Sequence, residues 1–273
     1  MGSIRKSVIA GSWYPGEPSV LRGDIARYIQ NVPGRELKGD IVGLIAPHAG
    51  YVYSGQVAAY AYKLIQRKKY DAVILIGPSH RVAFRGVSIY SKGAYETPLG
   101  VIPVHEKLVN EIKNLSKMVV DFPAAHLQEH SLEIQLPFLQ VVLEDFSFIP
   151  MVMGEQNAET CRELADVIGQ VAKDRHVLIA ASSDLSHFHD YKKAMQLDGR
   201  ILQHIQDDDV EGLLDNLADD KVEACGGGPI VVMMLASHKL GARHMLLLKY
   251  ANSGDVTGDK SSVVGYASAV CYR

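Results

Sequence analysis

The stretch I-A-P-H-A-G-Y-V-Y-S-G, Ile45 to Gly55, decides how this chain is read. It follows an apolar run, Ile41 to Ala46, that reads as a buried strand, and it precedes a periodic segment, Gln56 to Ile65, that reads as a helix. His48 therefore stands where a strand ends and a helix begins, with Pro47 before it and Gly50 after it fixing the turn. In open α/β sheets ligands bind in the crevice beyond the carboxyl ends of the strands, so an imidazole at this point faces the usual site.

The same pattern recurs twice downstream. Tyr70 to Ile76 is a second apolar run and ends in G-P-S-H, which carries His80. His176 to Ala181 is a third and ends in S-S-D-L-S-H-F-H, which carries Asp184, His187 and His189. If the three strands are parallel neighbours, their C-terminal loops share one edge and these distant side chains converge in one crevice. The expected fold class is α/β: a single domain over residues 1–273, with a central mostly parallel or mixed sheet flanked by helices.

Outward from these strands the periodicities are consistent with that fold. Pro18 to Val32 reads as a helix with Val20, Leu21, Ile25 and Ile29 on one face and a proline in its first turn. Val87 to Tyr90 and Tyr95 to Val104 read as short strands, and His105 to Leu115 as a helix. The segment A-A-H-L-Q-E-H-S-L-E-I-Q-L-P-F-L is expected to enter an amphipathic helix with His126, His130 and Glu133, burying Leu132, Leu136 and Leu139 and perturbed by Pro137. Phe146 to Met153 is a strand and Ala158 to Ala172 a helix. Helices are expected from His189 to about Leu217, interrupted at Asp207 to Asp209, and another after C-G-G-G-P with Pro229 in its first turn. His244 to Tyr250 and Val263 to Cys271 close the chain as strands.

Composition narrows the function class. The chain has 273 residues, 47% hydrophobic and 22% charged, which are globular values, and a formal net charge of −3 with no basic stripe. A nucleic-acid or anionic-membrane binder is not expected. Three scattered cysteines, Cys161, Cys225 and Cys271, do not make a disulfide framework and suit a reducing compartment. The opening M-G-S-I-R-K lacks the apolar run of a secretory leader, so a cytoplasmic location is expected.

Candidate metal ligands are His48, His80 and Cys225. Two imidazoles and one anionic side chain build open transition-metal sites that leave positions for water or substrate. Cys225 precedes three glycines and a predicted helix, where unpaired N–H groups and the macrodipole favour a thiolate. The alternatives are a small buried cysteine, glycines present for close packing, or an anion cradle at the helix start. Asp184 and His187 are spaced to share a cavity, His187 as acid or base and Asp184 as its partner, unless Asp184 caps the following helix. His126 and His130, four apart, together with Glu133 would form a second polar wall. Trp13 and Tyr51 are further candidates to line the crevice. No G-x-S-x-G elbow, phosphate-binding loop or dinucleotide fingerprint occurs, which leaves hydrolase, nucleotidase and dehydrogenase readings without support.

Taken in order, A-P-H-A-G-Y-V-Y-S-G, G-P-S-H, E-H-S-L-E-I-Q-L-P-F-L, S-S-D-L-S-H and C-G-G-G-P resemble the Memo family, whose members are also called AmmeMemoRadiSam system protein B. The likeness runs from about Ser12 to the C-terminus. It implies a fold similar to the class III extradiol dioxygenases, which hold non-haem Fe(II) with two histidines and a glutamate. By that likeness His48 and His80 match the histidine ligands, Cys225 falls at the carboxylate position, His187 matches the catalytic histidine, and Asp184 belongs to the same pocket. A thiolate in place of a carboxylate shifts preference toward zinc, copper or thiolate-bound iron. The expectation is a metal-binding protein, an oxidoreductase of unknown substrate, with Fe(II) implied by the resemblance. The alternative is a non-enzymatic module that holds no metal and uses the vestigial crevice for a peptide or an anionic ligand.

Overall fold

Four runs have no exposed face: Ile41–Ala46, Ala72–Pro78, Phe148–Met153 and Val177–Ser182 are buried at every position. Strands buried on both faces belong inside a sheet covered by helices on either side. The computed structural model, which describes residues 3–273, has that arrangement. Its first part runs β1 (Ile4–Arg5), α1 (Pro18–Asn31), β2 (Ile41–Ala46), α2 (Tyr51–Leu64), β3 (Ala72–Pro78), β4 (Val87–Ile89), β5 (Ala94–Thr97) and β6 (Gly100–Pro103). The middle continues with α3 (Glu106–Leu115), β7 (Val119–Asp121), α4 (Ala124–Leu127), α5 (Leu136–Val142), β8 (Phe148–Met153) and α6 (Ala158–Ala172). The last part is β9 (Val177–Ser182), β10 (His187–His189), α7 (Tyr191–Gln206), α8 (Val210–Ala218), α9 (Gly227–Lys239), β11 (His244–Asn252), α10 (Ser253–Thr257) and β12 (Val263–Tyr272).

The main sheet has nine strands in the order β10-β12-β2-β9-β3-β8-β4-β7, with β11 also paired to β12. Its centre, β2-β9-β3-β8, is parallel, and the antiparallel β12 and β4 flank it, so the sheet is mixed. Ala46 pairs with Ser182, and Ile76 with Ala181, so the three histidine-bearing strands end level and their loops share one edge. The fold class expected from the sequence holds.

Helices lie close because glycine permits it. A side chain at Gly43 in β2 would collide with Met233 and meet Ser237 Oγ at 2.7 Å, so α9 sits directly on the sheet. The opposite cover is α2, with α1 and α5 behind it. Among the described residues, no helix is long and apolar enough to cross a membrane.

Three local readings differ from expectation. The helix after His48 begins at Tyr51 rather than Gln56, because the Tyr51 N–H donates to Trp13 O at 2.8 Å and Gly50 serves as its N-cap. Val20 is exposed although Leu21, Ile25 and Ile29 are buried. The expected helix over His126 to Glu133 is not continuous: α4 stops at Leu127, and a 3₁₀ turn over Glu133–Gln135 leads into α5, whose first turn holds Pro137. A short additional sheet, β1-β5-β6, was not expected and ties the N-terminal strand to the β5–β6 hairpin.

Candidate metal centre

His48 follows β2 by two residues and is buried, at 2% exposure. Its N–H donates to Asp184 Oδ1 at 2.7 Å, its Nδ1 is 3.0 Å from Ser182 Oγ, and its Nε2 is 3.0 Å from Cys225 Sγ. The tautomer follows from counting protons. Ser182 gives its hydroxyl proton to Ser131 O at 2.6 Å and accepts Gln135 Nε2–H at 2.8 Å. The Gln135 amide is oriented by Tyr62 OH, which donates to its Oε1 at 2.7 Å. A hydroxyl has one proton and two lone pairs, so the remaining lone pair accepts His48 Nδ1–H. The His48 Nε2 lone pair is left pointing at the thiol.

His80 is fixed in the same sense. Glu129 Oε1 lies 2.9 Å from His80 Nδ1 and Oε2 accepts the His80 N–H at 2.6 Å. An ionised carboxylate only accepts, so Nδ1 carries the proton and Nε2 is free. Burial opposes the charge on Glu129, but the hydrogen bonds from His80 and from Ser131 N–H outweigh it and hold the carboxyl at about 2. An imidazole braced by a carboxylate on one nitrogen and open on the other is the usual posture of a metal-ligating histidine.

Cys225 is the third member of the cluster. One ligand atom from each of His48, His80 and Cys225 lies within 4.8 Å of the others. With metal–nitrogen bonds near 2.05 Å and metal–sulfur bonds near 2.3 Å, neighbouring ligand atoms fall about 3.1–3.6 Å apart. The 3.0 Å between His48 and Cys225 is a hydrogen-bond spacing just short of that range, so a few tenths of an ångström of separation would let these donors take a transition ion. The expected helix-end stabilisation of the thiolate does not hold for the free thiol. Burial pushes the Cys225 thiol up and the Asp184 carboxyl adds to this, outweighing the N–H groups of Asp184 and Gly226.

The triple glycine is not an anion cradle. Gly226 N–H donates to Ser183 Oγ at 2.9 Å and Gly228 N–H to Gln156 Oε1 at 2.7 Å, so two of the helix-start donors are already taken. Side chains there would strike Ser182 O at Gly226, Leu217 at Gly227 and Gln156 at Gly228. Close packing explains all three.

A cavity of about 400 Å³ opens over the cluster, lined by Trp13, His48, Tyr53, His80, His130, Asp184, His187 and Tyr266 among others. Asp184 is buried, and burial raises its carboxyl to about 6. It does not cap α7, whose N-cap is Asp190. His187 lines the same cavity from β10, opposite Val264. Trp13 packs on His130 with ring centroids 4.4 Å apart, and His130 stacks on His80 at 4.5 Å. Burial, and then neighbouring imidazoles, hold His48 and His130 down at about 3, so both are neutral near pH 7.

Three expected wall residues lie elsewhere. His126 is fully buried between Tyr95 OH, at 2.7 Å, and Ser88 Oγ, at 3.0 Å, outside the cavity. Glu133 faces the N-terminal segment, accepting from the Arg5 guanidinium, Tyr14 OH at 2.8 Å and the N–H of Val8. Both are displaced because the helix meant to align them with His130 is broken. Tyr51 packs on Phe138 at 5.0 Å and donates to Ile134 O at 2.8 Å, while Tyr53 takes the place at the cavity. Glu129, Ser182 and Gln135 were missed. The one available signal for Glu129 was its position beside His130.

Comparison with known proteins bears on the family and the fold. The family model described as Memo-like protein matches residues 5–270. A MEMO1 family protein of Nitrosopumilus maritimus is 39% identical over 270 residues, covering 97% of this chain and 98% of that one. A MEMO1 family protein of Thermotoga neapolitana is 38% identical, covering 98% and 99%. Among solved structures, the uncharacterized protein JW3007 from Escherichia coli K12 superposes with a TM-score of 0.55 at 12% identity, over 84% of this chain and 99% of that chain, which is a likeness of fold. A family match over nearly the whole chain, joined to relatives of equal length, means that this chain belongs to the Memo family.

Proposed function

We propose that this chain binds one divalent transition ion through His48, His80 and Cys225 and is an oxidoreductase acting on a small molecule held in the adjoining cavity. The observation that carries the reading is the shared tautomer. Ser182 and Glu129 each occupy the Nδ1 of one histidine, so the Nε2 lone pair of each is free, that of His48 3.0 Å from the Cys225 sulfur, and a ligand atom of each of the three residues lies within 4.8 Å of the others. Iron, copper or zinc suits a mixed imidazole and thiolate set, and a bound ion there supplies a Lewis acid and, for iron or copper, a one-electron couple.

The protein's own groups have separable tasks. Cys225 must release its proton to become a ligand, and the N–H of Asp184, 3.3 Å from the sulfur, steadies the resulting thiolate. Asp184, poised by burial near neutrality, and His187 across the cavity hold and move protons for a bound molecule. Trp13, Tyr53 and Tyr266 give the cavity apolar walls that limit water.

Metal analysis of protein purified without chelator or affinity resin, beside the double variant His48→Ala/His80→Ala, tests the reading. Close to one equivalent of iron, copper or zinc, lost in the variant, is expected. Metal-free protein that stays empty after anaerobic reconstitution would instead favour a non-enzymatic module for a peptide, a second reading supported by exposed Val52 and Tyr53 at the cavity.

A further inference from the structure

Glu129 is an unusual residue to find inside this protein. Its side chain is 1% exposed and accepts the N–H groups of His80, His130 and Ser131, and among the described residues its ionic neighbours are two imidazoles, His80 and His130. Next to it, His130 Nδ1 is buried with no hydrogen-bond partner, 3.5 Å from Glu129 Oε1. A buried polar atom left without a partner is accounted for by a water or an ion held there.

We infer that His80, Glu129 and His130 form a second cation position, alternative to the thiolate set, that takes an oxygen-preferring divalent ion such as Mn(II). One donor atom from each of the three lies within 4.8 Å of the others. Glu129 Oε1 is 2.9 Å from His80 Nδ1 and 3.5 Å from His130 Nδ1. Ligand atoms about 2.1–2.2 Å from one ion are separated by roughly 3.0–3.6 Å, so both separations from Glu129 are already close to what an ion would set. Two imidazoles and one carboxylate with open positions suit harder ions than a thiolate does.

His80 belongs to both sets through opposite ring nitrogens, and this makes them exclusive. Serving the thiolate set, it keeps its proton on Nδ1, given to Glu129, and offers Nε2. Serving the carboxylate set, it offers Nδ1, and the proton resides on Nε2. A neutral imidazole has one lone pair, so only one set is complete at a time. The nature of the ion then selects the position: soft ions go to Cys225, hard ions to Glu129. This goes beyond the proposed function, since it holds whether or not the thiolate set is the working centre.

The test uses the full chain stripped of metal. Mn(II) binding is followed by loss of the free-ion electron paramagnetic resonance signal, and Co(II) binding by the near-ultraviolet thiolate charge-transfer band. Cys225→Ser should abolish the Co(II) band and change the Mn(II) dissociation constant less than threefold. His130→Gln should weaken Mn(II) at least tenfold and keep the Co(II) band. Saturating Mn(II) should diminish the Co(II) band in the unaltered protein. Glu129→Gln, which also frees His80, serves as a second variant for Mn(II), and thermal melting confirms that each variant is folded. Mn(II) binding unaffected by His130→Gln and Glu129→Gln, Mn(II) binding lost in Cys225→Ser, or no Mn(II) uptake at millimolar concentration would overturn the inference. A missing Co(II) thiolate band in the unaltered protein would count against the proposed function and leave this inference standing.

Discussion

At the scale of single residues, the proposed metal centre depends on side chains that never reach the cavity. Ser182 sets the proton on His48 by having one lone pair left after serving Ser131 and Gln135. Ser182→Ala should therefore weaken metal affinity about 10–100-fold while leaving the stoichiometry intact, as read by competition with a chromophoric chelator. An unchanged affinity would refute the role. Because the half-buried Cys225 thiol is held protonated, each ion bound displaces one proton, and affinity should rise about tenfold per unit increase in pH across the neutral range. In Cys225→Ser that pH slope should flatten. His48 and His80 were legible in the sequence because apolar strands run into them, and Cys225 because glycines and a proline mark the helix after it. Ser182, Gln135 and Glu129 were not, since a serine, a glutamine and a glutamate are common in turns and only three-dimensional proximity to an imidazole gives them meaning.

At the scale of elements, glycines and one proline decide what can approach what. A methyl group at Gly226 would meet the backbone oxygen of Ser182, which cannot swing aside, so Gly226→Ala should push the start of α9 away from β9. We expect a loss of about 1–3 kcal/mol in unfolding free energy and reduced metal occupancy through displacement of Cys225. Denaturant titration and metal analysis together check this, and an unaltered occupancy would contradict it. The segment from His126 to Glu133 was misread for a related reason. The i, i+4 spacing is a helical pattern only where the helix is continuous, and the chain turns after Leu127 so that Glu133 can bind Arg5. Both side chains of that pair are at most 1% exposed. Glu133→Ala should cost about 3–5 kcal/mol by leaving the guanidinium buried and unpaired, visible in thermal melting.

At the scale of the whole molecule, the level ends of β2, β9 and β3 gather loops whose His48 and Asp184 are 136 residues apart, and this much followed from three apolar runs ending in polar turns. The β1-β5-β6 sheet did not follow, because a two-residue strand has no periodicity to read. The buried histidines give the metal-free protein an acid sensitivity. His48, His126 and His130 are held at about 3, far below an unfolded histidine near 6.5, so the unfolded chain binds more protons between those values. Their contribution is complete above pH 6.5 and is lost as pH falls toward 3. Asp184, raised to about 6, opposes this between about pH 4 and 6. Unfolding free energy should fall on acidification, at most on the order of 3 kcal/mol per pH unit. Urea midpoints between pH 7 and 4.5 check it, and a flat profile would argue against buried neutral histidines.

The central claim is that two imidazoles and one thiolate share an ion. X-ray absorption at the zinc edge of the reconstituted full chain tests it most directly. The nearest neighbours of the ion should include one sulfur at about 2.3 Å and nitrogen or oxygen atoms at about 2.0–2.1 Å, with the sulfur absent in Cys225→Ser. A spectrum fitted by nitrogen and oxygen alone in the unaltered protein would contradict the account.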